Sequence, residues 1–369
     1  MYYFRAIPDF KLIKYFFSNL FLKGIHQVDH LKHVDYSPFL FSYSRDAMNI
    51  LIKKSYQELN RKVNIHIPNL FCWEIISEFN NNEVNISFYE LNEDLRIISF
   101  PKGNIDIFLY VDLFGITKDI SEIKKICKNQ KIKLFIDQAH CLKLTRKPDI
   151  NEFIFLSLYK HYPTYDGAAL IVNKINENEI SEYLNKFEFK NHSKIKLLTW
   201  ILKSIYVSLS SRMKYVTNEY DSNNKINNLN KSHFYKMSSI SINTINREFS
   251  KVNNIKKSYS FHDSIISLLK EKFNIKLINK EYMNSHLFAL KFENNIDSLK
   301  VYNIFKKLKL PIISWPEKKY INNIPINIQK KSIDIIDKLI FLPSFYNNSI
   351  SDSKKNKILN QIHNYINEN

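Results

Sequence analysis

Two short stretches of this chain place an acid and an amine where they could work together. In Lys133–Cys141 (K-L-F-I-D-Q-A-H-C) the apolar run Leu134 to Ile136 ends in Asp137, and His140 follows three residues later. In the second stretch the apolar run Phe153 to Leu156 leads into Ser157, and Lys160 comes three residues on. A turn-rich P-T-Y-D-G segment and a further apolar run, Ala168 to Val172, complete it. The pattern predicts strand, exposed loop, strand. A lysine between two buried walls is partly desolvated, and its amine becomes available as a nucleophile. Ser157 is placed to hold an anion, and Asp166-Gly167 supplies a turn that tolerates positive φ. S-x-x-K alone is a weak motif, and taken by itself it reads rather as a solvated loop lysine. The acid upstream makes the difference. A carboxylate at the end of a buried strand is costly unless it meets a cation. A strand-end acid followed by a strand-loop lysine is what pyridoxal phosphate chemistry requires: the lysine binds the cofactor covalently, and the acid pairs with its pyridinium nitrogen.

The elements that must carry these residues can be read around them. Ser42 to Lys54 has the signature of a helix start, with Ser44 as N-cap, Asp46 in the first turn and Ala47, Ile50 and Leu51 on one face. Val63 to Ile67 is a short strand ending at Pro68, and a helix begins in Asn69–Glu74. Val84 to Tyr89 and Ile105 to Val111 are further strands, and Ile120 to Asn129 is an amphipathic helix leading to the Asp137 strand. The recurrent strand-helix-strand order predicts an α/β fold with a mostly parallel sheet flanked by helices, and a site at the C-terminal ends of the strands. Residues 180–260 read as helical and polar, with a loop over Asp221 to Ser232. Beyond them, a strand at His286–Phe292, a helix at Ile296–Leu308, strands at 312–314 and 340–345 and a last helix, Asp352 to Tyr365, suit a smaller C-terminal α+β domain. The expected division is an N-terminal helical segment, 1–40, a large cofactor-binding domain, 41–255, and a small domain, 256–369.

These motifs, in this order from about residue 40 to the end, resemble the DegT/DnrJ-type aminotransferases, a sugar-aminotransferase branch of fold-type I pyridoxal phosphate enzymes. The family's Glu-Asp-x-Ala-His/Gln run is similar to Ile136-Asp137-Gln138-Ala139-His140. Its lysine loop is similar to Ser157–Lys160 with Asp166-Gly167-Ala168. Its phosphate-binding helix start is similar to Ser44-Arg45-Asp46-Ala47, and its Trp-Pro and Leu-Pro landmarks to Trp315-Pro316 and Leu342-Pro343. The resemblance implies that Lys160 is the catalytic lysine, that Asp137 pairs with the ring nitrogen, and that His140 contacts the ring or its phenolic oxygen. It further implies that Ser44, Arg45 and Ser157 hold the phosphate and that Cys72 or Trp73 stacks on the ring. Asp112 stands where the family has a histidine. A keto-sugar acceptor, usually nucleotide-linked, glutamate as amino donor, amino-sugar or surface-polysaccharide biosynthesis and a homodimer are also implied.

Composition narrows the alternatives. The chain has 369 residues and 44% hydrophobic content, enough for a large and a small domain with sizeable cores. Only 4 residues are glycine, so Gly115 and Gly167 each mark a backbone position other residues fill badly. The net charge of +18 raises the reading of a basic nucleic-acid-binding protein, but the lysines are scattered and no recognised nucleic-acid motif is present. Cys72, Cys127 and Cys141 have no metal-ligand spacing, so no metal is expected, and they suit a reducing, cytoplasmic compartment. Residues 11–23 are apolar with flanking lysines. They are too short to span a bilayer and read as a packed helix, with contact to a membrane surface the other reading. A pyridoxal phosphate fold kept for binding or scaffolding, its chemistry lost, also stays open on sequence grounds.

Overall fold

The computed structural model describes residues 27–98, 100, 103–116, 119–209, 233–253, 260–278, 285, 287–308, 310, 312–315, 326–343 and 352–368. The apolar stretch 11–23 and the polar loop 221–232 lie outside them. The large domain is built on β1 (Tyr36–Phe41), α1 (Ser44–Leu59), β2 (Val63–Pro68), α2 (Trp73–Ile76), β3 (Val84–Tyr89), β4 (Ile107–Val111), α3 (Ser121–Asn129), β5 (Lys133–Asp137), β6 (Glu152–Leu156) and β7 (Ala168–Asn173). These strands form one seven-stranded sheet in the order β1-β7-β6-β5-β4-β2-β3. From β6 to β3 all neighbours are parallel, while β7 runs against both β6 and β1. The inner strands β4 to β7 read as mostly apolar runs because both of their faces are covered. Along β6, Phe153 and Phe155 enter one core with Ala47, Met48, Ile50 and Leu51 of α1, whereas Ile154 and Leu156 enter the other. Fully burying one such side chain contributes about 1.5–3 kcal/mol. The expected boundary at residue 40 falls inside β1. This strand belongs to the large sheet, paired along its length with β7 in the register Phe41↔Ala168, because its own apolar residues close that sheet edge.

The chain continues through α4 (Glu177–Leu184), β8 (Phe189–Lys190), α5 (Lys194–Leu209), β9 (Phe234–Tyr235) and α6 (Ser239–Asn253). The small domain holds α7 (Ser260–Lys272), β10 (Ile275–Leu277), β11 (Leu287–Phe292), α8 (Asn295–Lys307), β12 (Ile313–Ser314), α9 (Ile326–Asp337), β13 (Leu339–Pro343) and α10 (Asp352–Glu368). Its antiparallel sheet has the order β10-β11-β13-β12. The two faces of β11 serve different cores. Phe288, Leu290 and Phe292 join residues of α7, α8 and α10, while Leu287 and Ala289 join the core beneath the large sheet, together with Leu339 and Phe341. The small sheet is thereby set directly on the large domain. Helix α9, which sequence reasoning did not anticipate, contributes Ile328, Ile335 and Ile336 to that shared core. No described helix is long and apolar enough to cross a membrane.

Candidate active site

Sheet register brings the chemistry-bearing residues to one edge. Val111 lies opposite Asp137, Asp137 opposite Phe155, and Leu156 opposite Ala169. β1 runs parallel to β6, both being antiparallel to β7, so the loop after β1 emerges at the same edge as the loops after β4, β5 and β6. Ser44, Asp112, Asp137, Ser157 and Lys160 therefore converge at the C-terminal ends of the parallel strands, the usual place for a ligand in an open α/β sheet.

Asp137 is the last residue of β5 and is only 4% exposed. Its Oδ1 accepts the Ala139 N–H at 2.8 Å, and among the described residues it has no ion-pair partner. Burial raises its carboxyl above the usual range, and the nearby charge of Lys160 opposes that rise. Lys160 ends a one-turn helix, Leu158–Lys160, whose first N–H bonds run from Lys160 N to Ser157 O at 3.1 Å and from Tyr159 N to Gly167 O at 3.0 Å. The lysine is half-buried, and among the described residues it makes no side-chain hydrogen bond or ion pair. His140 is half-buried. Loss of hydration holds it well below its ordinary pKa, and the nearby charge of Lys160 adds to this. His161, next in sequence to Lys160, is buried and pushed down to about 3, chiefly by desolvation; its Nε2–H donates to Ala139 O at 3.2 Å. Both rings are neutral at physiological pH. The site thus combines an unpaired buried acid, an unbonded amine and two neutral imidazoles.

The residues expected on the phosphate side are not all placed alike. Ser44 is not the N-cap of α1. Tyr43 takes that position without a side-chain cap bond, and Ser44 is the first helical residue. Its hydroxyl instead meets the Ser157 hydroxyl at 2.9 Å, both buried, at the N-terminus of α1. Two hydroxyls and a helix N-terminus make a fitting cradle for an anion. Arg45 is turned to Glu78, with Nε 3.2 Å from Oε1, and its guanidinium stacks over Tyr43 at 4.8 Å. A half-buried guanidinium finds its counter-charge there, which argues against the phosphate role expected of it. Cys72 is the N-cap of the short helix α2 and Trp73 its first residue; both are partly buried against the core between the sheet and α1.

Two buried networks escaped sequence reasoning. Asp112, fully buried after β4, accepts from Gln138 Nε2 at 2.6 Å and from Arg146 Nη2 at 3.1 and 3.2 Å. Desolvation raises its carboxyl to about 6, against the pull of Arg146, Gln138 and Tyr110. Gln138 also bonds Thr145, so the segment after Asp137 is tied down on both sides. Asp166, in the lysine loop, accepts from the Ser42 hydroxyl at 3.0 Å, the Ser238 N–H at 2.9 Å and the Ser238 hydroxyl at 2.6 Å. His192 Nε2 stands 2.7 Å from Ser42 Oγ and 3.3 Å from Asp166 Oδ2. A serine, a histidine and an aspartate meet here, but one ring nitrogen faces both partners, so the set lacks the two-sided relay of a hydrolase. It works as a clasp holding the lysine loop to β1 and to the start of α6. Gly167 completes the loop with φ +142, a conformation costly for any side chain. Among the described residues no group of His, Cys, Asp and Glu is arranged to hold a metal ion.

No family model and no curated protein matches this sequence. The fold, in contrast, matches solved structures over its whole length. Helicobacter pylori PseC, an aminotransferase involved in the biosynthesis of pseudoaminic acid, aligns with a TM-score of 0.67 at 12% identity, covering 100% of this chain and 99% of that one. Spr1654 from Streptococcus pneumoniae, in its PMP-form, aligns with a TM-score of 0.67 at 12% identity, covering 99% of this chain and 97% of that one. A DegT DnrJ EryC1 StrS aminotransferase from Brucella abortus gives 0.59 at 12% identity, with 96% and 94% covered. The mostly parallel seven-stranded sheet with its small C-terminal domain is the fold-type I aminotransferase fold.

Proposed function

We propose that this protein is a pyridoxal phosphate-dependent aminotransferase that moves an amino group from a donor such as glutamate to a keto-sugar, nucleotide-linked, in amino-sugar or surface-polysaccharide biosynthesis. The single observation that carries the reading is the buried Asp137 carboxylate, without an ion-pair partner among the described residues and within electrostatic reach of Lys160. A buried acid of this kind calls for a cationic ligand atom, and a pyridinium N–H supplies one. The residues present fit the rest of the group: the Ser44–Ser157 hydroxyl pair at the start of α1 suits a phosphate, and Lys160 offers an unbonded amine. The likeness to PseC supports the sugar substrate class. A homodimer in the cytoplasm belongs to the same reading.

Each residue then has a physical task. Lys160 Nζ would hold the cofactor and, as a free amine, would carry a proton to and from the reacting carbon of the substrate. When bound, the cofactor supplies the electron sink that makes that α-carbon acidic. Asp137 keeps the ring nitrogen protonated through a charge-assisted hydrogen bond. Ser44 and Ser157 donate to the phosphate together with the first amides of α1. His140 would contact the ring or its phenolic oxygen.

The test is an absorbance spectrum of the protein with added pyridoxal phosphate, before and after borohydride, with Lys160→Ala beside it. A visible band, lost on reduction and absent from the variant, is the expected result. No band in either protein would sink the enzyme reading and leave a fold used for binding. Transfer from glutamate to a nucleotide-linked keto-sugar, followed as release of 2-oxoglutarate, tests the substrates.

A further inference from the structure

The backbone at Leu113–Gly115 is unusual. Phe114 is 3% exposed and holds φ 55 and ψ 28, the left-handed region that a side chain with a Cβ rarely adopts. Packing keeps it there. Its ring lies 4.5 Å from Phe341 of β13 and meets Trp315 edge-on at 5.8 Å, both contributed by the small domain. On the site side the same ring stacks on His140, with centroids 5.4 Å apart and planes within 12°. This backbone turn aims the Phe114 N–H at His140 Nδ1, 3.2 Å away.

A nitrogen that accepts a backbone N–H carries no proton of its own, so the neutral ring must hold its proton on the other nitrogen. We infer that Phe114 is a positioning residue: its left-handed backbone N–H fixes His140 as the Nε2–H tautomer, so that Nε2 is a hydrogen-bond donor rather than a lone pair. The nearby charge of Lys160 disfavours a second proton on His140. A donor suits an anionic ligand oxygen, such as a phenolate. What the donor serves rests on the pyridoxal phosphate reading; the tautomer does not.

The experiment uses the full chain, labelled with 15N in its histidine rings and free of added cofactor, with His140→Gln to assign the signals. Between pH 5.5 and 8 the His140 pair is expected to show one unprotonated nitrogen, Nδ1, and one protonated nitrogen, Nε2, with no change across the range. Averaged signals from exchanging tautomers, a proton on Nδ1, or a protonation midpoint inside the range would overturn the inference. Phe114→Gly separates the N–H from the ring stack. Glycine keeps the donor and adopts the left-handed backbone freely, so the Nε2–H signal is expected to persist. A change to the mixture of a free imidazole in that variant would assign the effect to the ring and refute the backbone role. Cofactor titration of the same samples reports separately on the functional reading.

Discussion

Asp137→Asn separates the role of a buried charge from that of a buried hydrogen-bond acceptor. The asparagine Oδ1 can still accept the Ala139 N–H that Asp137 accepts at 2.8 Å, so the strand end keeps its local bond. What is lost is the negative charge facing a cationic ring nitrogen. A hydrogen bond to a charged group contributes about 1.5–3 kcal/mol, so pyridoxal phosphate affinity is expected to fall about 10- to 150-fold. Stability should move the other way. Burial raises the Asp137 carboxyl in the folded state. The native protein therefore binds that proton more tightly than the unfolded chain does. Its contribution is most favourable below the unfolded value and is lost as pH rises through the raised folded value. Cofactor-free Asp137→Asn lacks that loss and is expected to be at least as stable as the parent at pH 8. Pyridoxal phosphate titration by absorbance gives the affinity, and urea unfolding at pH 5 and pH 8 gives the stability. An affinity within twofold of the parent would refute the pairing with the ring. A cofactor-free variant weaker by about 2 kcal/mol, the cost of an unsatisfied buried group, would show that the carboxylate is structural.

Three further outcomes follow from the same geometry. Ser157→Ala removes the partner of Ser44 and a candidate phosphate donor; the preference for pyridoxal phosphate over pyridoxal, measured by competition, is expected to shrink about tenfold, at about 1 kcal/mol of fold stability. Gly167→Ala forces a side chain onto φ +142 and brings its Cβ 2.9 Å from Met237 Cε, so thermal unfolding should show a loss of about 1–3 kcal/mol. Asp112, raised to about 6 from 3.8 by burial, makes the fold lose roughly 2 kcal/mol as pH climbs from 4 to 6, since the folded state holds this proton above the unfolded value. Urea unfolding of Asp112→Asn across that window should lack this fall; an unchanged slope would assign it to other groups.

Much of this architecture is legible along the chain. The strands at Val84–Tyr89 and Lys133–Asp137 and the helix over Ser121–Asn129 follow from apolar runs and helical spacing, which are local properties of the backbone. The Asp137 and Lys160 assignments rest on local spacing too: each sits at the end of, or three residues beyond, its own strand. Ser44 shows where local reading stops. The capping rule places its hydroxyl on its own helix, yet the structure spends it on Ser157, 113 residues away. The N-cap preference is worth only about 1 kcal/mol, and a long-range hydroxyl partner is enough to offset it.

What the sequence determined by itself is the alternation of strands and helices, and with it an α/β sheet whose loops carry an acid, a lysine and a serine. Tertiary structure alone decided which distant groups share one site. Arg146 reaches Asp112 across 34 residues, and Ser238 reaches Asp166 across 72. Arg45 settles on Glu78, and Phe114 is held left-handed between the small domain and His140. Hydrophobic periodicity repeats every two or 3.6 residues and is written in neighbours. Strand order and register are set by how whole faces bury one another, and only once they are set does a buried charge or hydroxyl have a partner to find.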